Sequence, residues 1–247
     1  MWQLLVGVLL APILIVQGLS TRWTTERLPE PEGNRRGRSG SGPLLRVLIV
    51  GDSAAAGVGC EHQQQALLGH LVRLLSPHFT VEYQLAAFTG DTSKDCLEKL
   101  NARPVFECDV VLTSLGVNDV TSGCSAGKFE QRQDQLASLL QNKFGATQII
   151  LSGLPPMGYF PALPQPLRWF LGSRATVLDF RLRKIATERN LDYIEFEFDG
   201  DTSVVASDGY HPGPKVYEHW AGLAVELIQT HQNNKSNASF DYSLGDK

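Results

Sequence analysis

Beyond residue 44 the chain alternates short apolar runs with stretches of helical periodicity. The runs at residues 46–50, 81–86, 109–115, 148–152 and 193–198 are candidate strands, each able to be buried on both faces. Residues 62–75, 92–100, 129–144, 174–189 and 214–231 carry the spacing of helices. Strand, helix, strand repeated over short connections predicts an open parallel sheet of five strands covered by helices. In such sheets ligands bind just beyond the carboxyl ends of the strands, so the residues at those ends matter most.

The flanks read differently. Residues 1–21 hold no charged side chain and are almost wholly apolar from Trp2 to Gly18, long enough for an export signal or a membrane anchor outside the domain core. The first basic residues, Arg22, Arg27, Arg35, Arg36 and Arg38, all follow that run. Two outcomes stay open: a retained anchor with a domain on the cytoplasmic side, or cleavage near Val16-Gln17-Gly18 and export to the periplasm or medium. Residues 22–43, rich in Arg, Glu, Pro, Gly and Ser, have the composition of a polar linker. The domain is expected over 44–232, with a frayed polar tail at 233–247.

Composition narrows the function. A chain of 247 residues with 43% hydrophobic side chains can bury a sizeable core. A formal net charge of -4 offers no broad basic surface for nucleic acid. Cys60, Cys96, Cys108 and Cys124 are irregularly spaced, which suits neither a zinc site nor a redox pair but allows two disulfides in an oxidising compartment. A dinucleotide-binding domain is excluded by its glycines: Gly57-Val58-Gly59 lacks the third glycine at the required spacing, and no G-K-[ST] follows.

The strand ends carry chemistry. Gly51-Asp52-Ser53 follows the first strand, Gly90 the second, and Gly116-Val117-Asn118-Asp119 the third, while Ser207-Asp208-Gly209-Tyr210-His211-Pro212 precedes the last helix. Taken alone, Gly-Asp-Ser is equally a helix cap; the argument lies in the order Ser, Gly, Asn, Asp, His across separated strand ends. A serine becomes a nucleophile when a base within hydrogen-bond reach takes its proton and a third group orients that base. His211 can be the base and Asp208 its partner, and Ser53, Gly90 and Asn118 can supply donors to an oxyanion. His62, His70, His78, His219 and His231 have no comparable company and read as surface or packing residues.

These motifs resemble the SGNH (GDSL-like) superfamily of esterases and lipases, whose Ser, Gly, Asn and His correspond to Ser53, Gly90, Asn118 and His211. The resemblance spans about residues 45–231 and departs in Ala54, which stands where Leu usually follows Gly-Asp-Ser. It implies a three-layer α/β/α sandwich of flavodoxin-like kind, a catalytic Ser53, Asp208 and His211, and an oxyanion hole of Ser53, Gly90 and Asn118. No metal or organic cofactor is implied. The expected activity is hydrolysis of short-chain acyl esters through an acyl-enzyme. A lysophospholipase or thioesterase, a glycan O-deacetylase, and a catalytically silent ligand-binding domain are the alternatives. Residues 155–172, with five prolines and eight large apolar side chains, read either as a substrate-binding wall or as a rigid connector.

Overall fold

The computed structural model describes residues 2–197 and 201–244, with side chains from 9 to 197 and from 201 to 235. Its strands are β1 (Arg36–Ser39), β2 (Leu44–Gly51), β3 (Thr80–Ala87), β4 (Val110–Ser114), β5 (Gln148–Ser152) and β6 (Asp192–Ile194). Its helices are α1 (Trp2–Thr24), α2 (Ser53–Ala56), α3 (Leu67–Leu75), α4 (Ser93–Ala102), α5 (Val117–Thr121), α6 (Ala126–Phe144), α7 (Leu167–Arg189) and α8 (Pro214–Leu244). The strands form one sheet in the order β1-β3-β2-β4-β5-β6. All neighbours are parallel except β1, which runs antiparallel to β3.

The central strands feed two cores. Leu45, Val47, Ile49, Val110 and Leu112 point to one side, where Leu67, Leu71 and Leu75 of α3 and Tyr217, Trp220 and Ile228 of α8 cover them. Leu48, Val50, Val111, Ile149 and Leu151 point to the other, under α4, α6 and α7. The result is the three-layer sandwich expected. Without β1 the strand order is that of a flavodoxin-like sheet, and the order reverses at β2, opening a crevice beyond its carboxyl end. Gly51 closes β2 where a Cβ would lie 2.4 Å from the Ser114 carbonyl oxygen and 2.5 Å from Ala55 Cβ. Only glycine lets the chain turn there so close to β4.

Several boundaries differ from the sequence expectation. The sheet has six strands, not five: part of the segment read as a linker pairs with β3, Gly37 opposite Tyr83. Arginine and serine on β1 alternate between exposed and half-buried positions, a polar edge without the apolar signal that marks a buried strand. The 62–75 helix breaks into a single 3-10 turn at Gln63–Gln65 followed by α3. Helix α7 begins at Leu167, not 174, because Leu167, Leu171, Ala175, Leu178 and Leu182 continue one buried stripe, which the aromatic residues on its other sides obscure. All five prolines of 155–172 lie before α7, where they cost it no internal hydrogen bond. The last strand ends at Ile194, and Phe198 of the expected run lies outside the described residues. Helix α8 continues to Leu244, through most of the expected tail. Leu14 of α1 joins the core beneath α7, so the N-terminal segment is not wholly separate from it. Among the described residues no helix is long and apolar enough to cross a membrane.

Candidate active site

Ser53 is the first residue of α2, placed directly after β2. Asp52 caps this short helix by accepting from the Ala54 amide at 3.0 Å. Ala55 and Ala56 are buried against the sheet, and small side chains allow the helix to start that close to it. The Ser53 amide, in the first turn, has no intrahelical acceptor.

The loop before α8 presents the other two groups. Its turn closes through the Ala206 amide to the His211 carbonyl at 2.8 Å and the Gly209 amide to the Ala206 carbonyl at 2.9 Å. One oxygen of Asp208 accepts from the amides of Tyr210 and His211, at 2.9 and 3.0 Å. The other lies 2.5 Å from His211 Nδ1. His211 Nε2 lies 2.8 Å from Ser53 Oγ. Burial pushes the Asp208 carboxyl up, but the hydrogen bonds from the imidazole and the two amides outweigh it and hold the group below its ordinary range. An ionised Asp208 fixes the ring with its proton on Nδ1, leaving Nε2 free to accept from the serine. Tyr210 packs edge-on against the His211 ring, with centroids 5.5 Å apart.

Asn118 reaches the residue next to the serine, and Gly90 lies in the loop that follows β3. Gly90 sits in the exposed β3–α4 loop with φ +89, a left-handed conformation that favours glycine, and open space surrounds its missing Cβ. Asn118 Nδ2 donates to the Asp91 carbonyl at 3.0 Å and, more weakly, to Asp52 Oδ2 at 3.3 Å. The wholly buried Asp52 has its pKa pushed up to about 7, chiefly by desolvation, with the Ala54 amide opposing.

Asp119, the last residue of the Gly116-Val117-Asn118-Asp119 motif, anchors a buried cluster whose other members escaped the sequence reading. Asp119 Oδ2 accepts from both the amide and the hydroxyl of Ser93, each at 2.9 Å. Gln133 of α6 donates to the same hydroxyl at 2.8 Å, and Arg132 Nη1 stands 3.7 Å from Asp119 Oδ1. Desolvation raises the Asp119 carboxyl, with the Ser93 donors and Arg132 pulling it down. The start of α4, and with it the Gly90 loop, is thereby tied to α5. Ser93 and Gln133 have no motif, so nothing in one sequence marks them.

A cleft of ≈ 550 Å³ opens from Ser53 and His211 toward β5 and α8. Pro155, Pro156, Tyr159 and Phe160 form one wall, and Val204, Val205, Phe196 and Val216 another. Of 155–172, then, only the first part faces the cleft. Met157, Leu163 and Leu167 are buried in the core, and residues from Leu167 onward belong to α7. His219, read from the sequence as a surface or packing residue, is exposed and lines this cleft. All four cysteines are free thiols, so the two allowed disulfides are not formed.

A flavodoxin-like sheet carrying a connected Ser–His–Asp set beyond its carboxyl ends defines a serine hydrolase class of protein. The sequence profile of the GDSL-like lipase/acylhydrolase family matches residues 49–219, and the chain belongs to that family. It is 28% identical over 153 residues to the GDSL-like esterase Rv1075c of Mycobacterium tuberculosis (strain ATCC 25618 / H37Rv), covering 56% of this chain and 48% of that protein. The chain thus spans about half the length of the curated relative it matches. Among solved structures it shares its fold with the lipase/acylhydrolase from Enterococcus faecalis, at a TM-score of 0.59 and 23% identity over 76% of this chain and 96% of that one. The psychrotrophic esterase EstA from Pseudoalteromonas sp. is similar at a TM-score of 0.60 and 21% identity, over 76% and 98% of the two chains.

Proposed function

We propose that this protein hydrolyses short-chain carboxylic esters through an acyl-enzyme on Ser53. The observation that carries this reading is the unbroken path from Ser53 Oγ through His211 to Asp208 at the mouth of an apolar cleft. Ser53 Oγ attacks the acyl carbon as its proton passes to His211 Nε2, and the imidazolium is stabilised by Asp208. The developing oxyanion is received by the Ser53 and Gly90 amides and by Asn118, whose weaker bond to Asp52 is the one exchanged. The C–O bond to the alcohol then breaks, and His211 returns the proton to that oxygen. Water, deprotonated by His211, attacks the acyl carbon, and the carboxylic acid leaves as Ser53 recovers its proton.

The apolar walls favour a substrate with a hydrocarbon portion. The test is hydrolysis of p-nitrophenyl esters from acetate to palmitate, with Ser53→Ala and His211→Ala beside the wild type. Short-chain activity lost in both variants is expected. Absence of hydrolysis at every length, with Ser53 unlabelled by a fluorophosphonate, would overturn the reading in favour of a silent ligand-binding domain.

A further inference from the structure

Between Leu9 and Leu19 helix α1 is apolar on nearly every side, yet among the described residues the protein covers only one of its faces. Leu14 enters the core beneath α7 and Leu10 packs against it, while Ile13, Ile15, Val16 and Leu19 stand exposed, Val16 at 66% and Leu19 at 57%. A helix apolar all round belongs in a core or in lipid, not in water. On the covered face Gln17 is engaged at both ends of its amide: Nε2 donates to the Gln165 carbonyl at 2.7 Å, and Oε1 accepts from the Leu167 amide at 3.1 Å. This amide pair clamps α1 to the start of α7.

The ends of the helix say what covers the rest. No charge occurs in the first 21 residues, and the helix then closes on Arg22 and on Trp23, 86% exposed, with Arg27 a turn's length beyond. Arginine and tryptophan at the border of an apolar stretch form the pattern of a lipid–water boundary: the indole sits at headgroup level and the guanidinium meets phosphate. Helix α7 adds to the same character with Trp169, Val177 and Phe180, exposed at helical spacing along one stripe.

We propose that the exposed sides of α1 rest in the surface of a bilayer containing anionic lipid, and that the Gln17 clamp holds the folded domain against that surface. The Glu26–Ser207 bond is the second tie, one residue before Asp208, so the cleft keeps a set orientation to the lipid. The inference stands on α1 and its contacts and does not rest on the reaction proposed above.

The test is flotation of the full-length protein, purified in mild detergent and freed of it, with vesicles of phosphatidylcholine alone or mixed with phosphatidylglycerol. Aggregates sink, so only lipid-bound chain rises. The wild type is expected in the floating fraction of the mixed vesicles, less in phosphatidylcholine alone. The doubly substituted Val16→Asp, Leu19→Asp protein is expected to float at least tenfold less, and Arg22→Glu, Arg27→Glu to lose its preference for the anionic vesicles. Hydrolysis of p-nitrophenyl acetate, unchanged in both variants, checks their fold, and circular dichroism serves if that activity is absent. A wild type that stays at the bottom overturns the proposal, as does flotation untouched by the aspartates. A dimer that those aspartates dissolve, without flotation, would assign the face to a second copy instead.

Discussion

Ser53 and His211 stand 158 positions apart in the chain, and their side chains meet at 2.8 Å. The strand that ends before Ser53 lies at the reversal point of the sheet, and the loop before α8 returns across that same edge. Ser53→Ala is expected to lower kcat on p-nitrophenyl acetate by about 10⁶-fold, as loss of a triad nucleophile does elsewhere. Asp208→Asn, which leaves His211 with the wrong tautomer, should cost about 10⁴-fold. Steady-state kinetics, with melting curves showing an intact fold, check both.

Asn118 is the side-chain donor of the proposed oxyanion hole. Its replacement by alanine should remove about 2.7–4 kcal/mol of transition-state stabilisation, a 10²–10³-fold fall in kcat with little change in KM. A change confined to KM would place Asn118 outside the hole.

Asp119 touches no part of the cleft, yet it holds Ser93 by two hydrogen bonds and so the loop bearing Gly90. Asp119→Ala strands the Ser93 amide and Arg132, and should lower stability by about 1–3 kcal/mol, the cost of unsatisfied buried donors. Because Gly90 shifts with α4, kcat should fall as well, whereas Gln133→Leu should affect stability alone. Urea unfolding and kinetics on the same samples separate the two.

Asp52 has its carboxyl pushed up from an ordinary value near 4 to about 7 by burial. Between those values the folded protein keeps a proton that the unfolded chain has released, so this group makes stability fall as pH rises through that window. Asp52→Asn removes the titration while retaining an oxygen for the Ala54 amide. Its melting temperature relative to wild type should therefore be higher at pH 8 than at pH 4.5. An equal offset at both would mean Asp52 is ionised throughout.

Tyr159 stands on the cleft wall at its rim. Tyr159→Ala should raise KM for p-nitrophenyl hexanoate by up to about tenfold, the loss of part of an aromatic contact, while acetate is handled as before. Equal effects on both esters would place the acyl chain elsewhere.

Local sequence determined the five parallel strands, most helices and the residues proposed for the site, for a physical reason. A strand covered on both faces is apolar along its buried stretch, as Val47 to Val50 of β2 and Val110 to Leu112 of β4 are, and polar residues available for chemistry stand at its end. Ser53, Gly90, Asn118, Asp208 and His211 are all visible as such punctuation. What the sequence withheld is what depends on partners distant in the chain. β1 is a strand only because β3 offers it an edge, and α7 starts at Leu167 because a core lies beneath Leu167 and Leu171. Ser93 and Gln133 became part of the site's support only through Asp119, and His219 reached the cleft only through the placement of α8. Periodicity records which faces of an element are buried, whereas only the tertiary structure decides what each face is buried against.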